Sequence, residues 1–179
     1  YPEEVVGVVL VDSVHEEQYE DVQKTRKRIM GLRLARIGAQ VGLLRLIGTS
    51  GLSSGFEKFL KSAPPEVLPI NRTFYYRSQT WTTALAEAGA AEENSRQAQN
   101  AGTLGDKPLA VISAPGESDD DEETKRLWAE RQRKLANLSR NHTHVIAEHS
   151  GHLIQLDNPE LVIRIIRNIA QAASKNNQH

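Results

Sequence analysis

The segment His144–Ile166, HVIAEHSGHLIQLDNPELVIRII, sets a histidine between the end of a strand and the start of a helix, and it constrains the fold more than any other part of the chain. Val145, Ile146 and Ala147 form a short apolar run of the kind that a buried parallel strand gives, and Gly151-His152 follows in a Ser/Gly turn. Asp157-Asn158-Pro159-Glu160 then reads as a helix start, with a capping Asp or Asn, proline in the first turn and an acid near the positive end of the helix dipole. Beyond it Leu161, Ile165, Ile166 and Ile169 recur at helical spacing, so one helix is expected over residues 159–173.

The same strand–helix grammar recurs elsewhere. Val8-Val9-Leu10-Val11-Asp12 is an almost unbroken β-branched run, suited to a strand covered on both faces. Leu109-Ala110-Val111-Ile112-Ser113 is a second such run, and a helix is expected from Glu122 to Ser139. Strands over residues 6–11, 109–113 and 144–147 are expected to be parallel neighbours, because strand–helix–strand order favours a crossover connection. Between the first two strands, residues 16–105 read as helical, interrupted at Gly48–Gly55 and Pro64-Pro65, with one or two helices from Thr73 to Ala101.

The His152 segment, together with the opening YPEEV and GVVLVD strings, resembles the C-terminal part of the α/β-hydrolase family. The resemblance implies an α/β fold, in which a parallel sheet carries a helical cap insertion. Residues 1–15 would hold a core strand, 16–105 the cap or lid and 106–173 the core with its histidine loop, ahead of a polar tail at 174–179. It implies a Ser-His-Asp triad with His152 as base, acting on a small or acyl-type ester. In the family the nucleophile elbow precedes a YPEEV-like helix end, so the nucleophile and the N-terminal half of the fold are expected upstream of Tyr1. Epoxide hydrolases and haloalkane dehalogenases share this region but use an Asp nucleophile. A noncatalytic fragment or binding module of the same fold is the third alternative.

A serine hydroxyl is a poor nucleophile near neutral pH, so an imidazole must take its proton and a carboxylate must hold that imidazole in one tautomer. Two acids are candidates. Asp119 follows the strand ending at Ser113 in a turn like the family's Gly-x-x-Asp and is the first choice; alternatively the run Asp119–Glu123 is a solvated helix start. Asp12 ends the first strand and is the second choice, its structural alternative being to bond loop amides. Gly51-Leu52-Ser53-Ser54-Gly55 matches a Gly-x-Ser-x-Gly string, but an Arg-studded helical pattern precedes it instead of a strand, so Ser53 is expected in a cap loop.

His142, His144, His149 and His152 lie close in sequence, yet a strand and its loops send neighbours in different directions, so no metal site is expected. His142 and His144 are expected as a surface pair entering the strand, and His149 as a residue shaping the loop that presents His152. In the cap, Arg26, Lys27, Arg28, Arg33, Arg36 and Arg45 interleave with apolar residues. That pattern occurs on membrane surfaces, but a helix packing its apolar stripe on the core is preferred, above a pocket that Tyr75, Tyr76 and Trp81 help to line.

Charge is balanced, with 22 basic and 23 acidic residues, which favours a small-molecule substrate and gives no reason to expect nucleic acid. The repeated arginines argue against stable membrane insertion. The absence of cysteine excludes a disulfide scaffold and fits a reducing, cytoplasmic setting. No cofactor is expected.

Overall fold

The apolar runs become the three strands of a parallel sheet in the computed structural model, which describes residues 2–19, 22–49, 64–116 and 120–176. The strands are β1 (Val8–Val11), β2 (Leu109–Ser113) and β3 (His142–Ile146), in the order β1-β2-β3. Val8 stands opposite Leu109, and Leu109 opposite His142, so the three strands end at one common edge. Two compact units make up the chain: Tyr1–Glu17 with Ala98–His179, and Gln18–Gln97. The fold is mixed α/β.

In the first unit β2 is buried at all five positions, and its alternating side chains serve two cores. Ala110 and Ile112 pack with Ala147, Ile154, Leu161, Val162 and Ile165 on one face. Leu109 and Val111 pack with Leu135 and Ala136 on the other. A helix therefore covers each face of the central strand: α5 (Glu122–Ala136) on the second and α7 (Pro159–Asn176) on the first, with the short α6 (Ile154–Asp157) leading into α7. Both long helices start at capping side chains. Asp121 accepts from Thr124 N at 2.7 Å, and Asn158 accepts from Leu161 N at 3.2 Å.

Element boundaries differ from expectation, beginning with β1, which starts at Val8 and not at residue 6. β3 begins two residues earlier, at His142, and Ile146 is half exposed while Ala147 enters the core just past the strand. α5 stops at Ala136, because Leu138 O accepts from Leu104 N and Gly105 O from Arg140 N, which draws the chain into a short parallel bridge. α7 runs on to Asn176, into the stretch expected as tail.

The described part of the second unit is helical, with α1 (Val22–Gln40), α2 (Leu43–Thr49), α3 (Leu68–Tyr75) and most of α4 (Ser78–Asn100). Gly42, at φ 75°, closes α1 in the left-handed conformation that glycine adopts without strain. The corner between α3 and α4 is locked by Trp81 Nε1 donating to Tyr75 O at 2.8 Å, with the two rings edge to face at 4.9 Å. Tyr76 packs edge-on against Tyr75, so these aromatics are engaged with one another inside the helical unit. Burial, and to a lesser degree Tyr76, raises the Tyr75 phenol above its ordinary pKa.

Ile154 is fully buried where the histidine loop meets the helix-covered core. Replacing it by alanine is expected to lower the unfolding free energy by about 2–5 kcal/mol, and by valine about 0.5–1.5 kcal/mol. Urea titrations of the two variants check this, and an alanine loss below about 1 kcal/mol would show that the loop is not tied to the core.

Candidate functional site

The common edge at which the strands end gathers polar groups from three loops, the place where open parallel sheets present their ligand-binding residues. Asp12 follows β1 directly. Its amide still donates to Ile112 O at 2.7 Å, but at φ 46° the backbone turns into the left-handed region, which Asp tolerates better than most residues. The turn buries the carboxylate, leaving the residue 3% exposed. One oxygen, Oδ1, accepts from Ala114 N at 2.7 Å, and the other, Oδ2, lies 2.7 Å from His152 Nδ1.

Ala114 is fixed in turn by α5, since Trp128 Nε1 donates to its carbonyl at 3.1 Å. The same helix grips the loop after β1. Gln132 Nε2 donates to Ser13 O at 2.8 Å, Arg131 to Glu17 O at 3.3 Å, and Lys134 Nζ meets the Glu17 carboxylate at 2.7 Å. That Lys134 bond is the main reason the Glu17 carboxyl sits below its ordinary pKa. Within the loop, buried His15 accepts from Glu17 N through Nδ1 at 3.2 Å.

The His152 loop is braced at both ends. Ala147 N donates to Ser113 O at 2.8 Å, carrying the strand ladder one residue further, and Gly151 N donates to Asp157 Oδ2 at 2.8 Å. The two residues read as alternative caps thus divide the work: Asn158 caps α7 and Asp157 holds the loop. His149 is at φ 64°, a left-handed position that bends the chain two residues before Gly151.

The outcome is an imidazole with one nitrogen committed and one available. With Asp12 ionised, Nδ1–H donates to Oδ2 and Nε2 carries the lone pair. The His152 side chain is 64% exposed, and among the described residues no group bonds Nε2. Chemically, such a group accepts a proton from a hydroxyl or a water brought to Nε2, and the buried carboxylate stabilises the imidazolium that forms.

The fold brings Asp12, the second choice, to His152. Asp119, the first choice, lies outside the described residues, as does Ser53. The acidic stretch after Asp119 does open a helix, with Asp121 as its cap. His142 lies within β3, two residues before the expected start of the strand, and is exposed. His144 is half buried, with Nε2 2.8 Å from Ser113 Oγ, and burial, then Arg133 and His142, holds its pKa below the ordinary value. Among the described residues no group of three or more His, Asp or Glu side chains is arranged to hold a metal ion.

Sequence reading missed His15, Gln132 and Trp128. For the last two a signal existed: Trp128, Gln132, Leu135 and Ala136 recur at the i, i+4, i+7, i+8 spacing of a buried face, on which a glutamine is out of place unless it bonds something. His15 carries no such local mark. No family model matches the chain, and neither does a curated protein or a solved structure.

Asp12→Ala leaves the Ala114 amide without its acceptor and is expected to lower the unfolding free energy by about 1–3 kcal/mol. His152→Ala is expected to cost under about 1 kcal/mol, because water takes the place of the exposed ring on Oδ2. Equal losses in the two variants, read by urea unfolding, would show that Asp12 is held by the histidine and not by the backbone.

His144 makes stability pH-dependent. Its folded-state pKa lies below the 6.5 of an unperturbed histidine, so between the two values the unfolded chain binds more protons. Its stabilising contribution is complete above 6.5 and is expected to fall as pH drops through 6.5 toward the folded-state value. Urea midpoints measured on both sides of 6.5 check this, and His144→Gln should flatten that part of the curve.

Proposed function

We propose that Asp12 and His152 are the acid and base of a Ser-His-Asp ester hydrolase of the α/β-hydrolase type, acting on small or acyl-type esters. The observation that carries this reading is the 2.7 Å contact between a buried carboxylate and Nδ1 of a largely exposed imidazole. A structural ion pair has no need of an accessible Nε2, whereas a general base does. In the proposed cycle, Nε2 takes the proton of the attacking serine hydroxyl as its oxygen adds to the ester carbonyl. The imidazolium, steadied by Asp12, returns that proton to the leaving alcohol as the tetrahedral intermediate collapses to the acyl-enzyme. Water then repeats the sequence and releases the acid. The balanced charge of the chain agrees with an uncharged ester as substrate.

The reading requires a serine and oxyanion donors besides this pair. We assign the serine to a segment preceding Tyr1 and keep Ser53 as the control, since only Ser53 sits in an elbow-like string within the chain.

The test uses the intact gene product with aryl acetate, butyrate and octanoate esters. His152→Ala and Asp12→Asn are each expected to lower kcat by roughly 10³–10⁴-fold while the fold persists by circular dichroism. A fluorophosphonate probe followed by peptide mass spectrometry then reports the serine. Ester turnover that survives His152→Ala would overturn the assignment, and labelling of Ser53 would move the nucleophile into the helical unit.

A further inference from the structure

α1 carries two apolar faces, and only one of them is covered. Ile29, Leu32, Ala35 and Ala39 are half buried, and Gly38 lies against Leu44 of α2, which folds back on the helix there. Met30, Leu34, Ile37 and Val41 recur at i, i+4, i+7 and i+11, so they fall within about 60° of arc on the opposite side. They are 55%, 62%, 52% and 72% exposed. Leu43 and Leu46 of α2 are exposed as well.

Charge says what suits such a face. Helical spacing puts Arg26 and Arg33 on one margin of the stripe and Lys27 on the other, all three exposed. No Asp or Glu occurs between Val22 and Thr49. A protein partner's apolar patch asks for no such uniformly basic margins. A bilayer with anionic headgroups asks for both parts: the aliphatic stripe enters the acyl boundary, while the long basic side chains reach back to the phosphates. No described helix is long and apolar enough to cross a membrane, which agrees with a helix lying in the interface.

We propose that the α1–α2 segment is a peripheral binding site for anionic lipid bilayers, held by Met30, Leu34, Ile37 and Val41 and flanked by Arg26, Lys27 and Arg33. It is independent of the chemistry proposed at His152, which lies in the other unit.

Vesicle co-sedimentation of the whole chain tests it, using phosphatidylcholine alone and phosphatidylcholine with about a third phosphatidylglycerol. Binding is expected to the anionic vesicles only and to weaken as salt rises. Arg26→Glu/Lys27→Glu/Arg33→Glu is expected to reduce partitioning on the order of a hundredfold or more. Leu34→Ser/Ile37→Ser should also release the chain; both positions are exposed, so the helical circular dichroism should persist and separate loss of binding from loss of fold. His152→Ala should bind as the parent does. Equal binding to neutral and anionic vesicles, or no binding to either, would overturn the proposal. So would a self-association, seen by light scattering, that Leu34→Ser/Ile37→Ser abolishes while vesicle binding is absent, since the stripe would then join copies of the chain.

Discussion

The buried carboxylate of Asp12 is the constraint around which the sheet's polar edge is organised. A charge in that position is tolerated only when both oxygens are bonded, and the two donors come from different parts of the chain, the Ala114 amide and the His152 ring. Each donor is itself fixed. Ala114 follows a strand buried on both faces and is held by Trp128, while the His152 loop hangs between the strand ladder at Ala147 and the Asp157 carboxylate. Removing any of these supports lets water or a second geometry reach the carboxylate. The left-handed backbone at Asp12 is the strain that this arrangement sustains.

Position within the sheet decides how a histidine behaves. His144 and His152 each contact an oxygen, but His144 faces Ser113 beside a buried strand, where burial and the neighbouring Arg133 and His142 disfavour its charged form. His152 stands on a loop with its ring largely in water and a carboxylate behind it. The first environment favours a neutral structural imidazole; the second leaves Nε2 open to solvent with Nδ1 held by a carboxylate. On the proposed reading the same sheet thus supplies one histidine for packing and a second for chemistry.

The helical unit follows a different physical logic. α1 is apolar on two sides because one side meets α2 and its own unit, whereas the other remains exposed between cationic margins. The chemistry proposed for His152 and the lipid contact proposed for α1 rest on separate residues in separate units. Either stands or falls without the other.

Local pattern was enough for the elements. The runs at Val8–Val11 and Leu109–Ser113, the Asp-Asn-Pro-Glu helix start and the strand–turn–helix context of His152 are all written in short-range periodicity and capping chemistry, which depend on residues a few positions apart. The ends of elements were less legible, as at β3 and α5, because the bridge between Gly105 and Ser139 competes with helix continuation and leaves no local trace. That Asp12 meets His152 was decided by tertiary structure alone. Asp12 lies 140 positions away, at the end of a different strand, and its contact depends on parallel register and on a backbone bend that the residue types permit without dictating. The same holds for α1, where the sequence shows two apolar faces and only packing determines which one is covered.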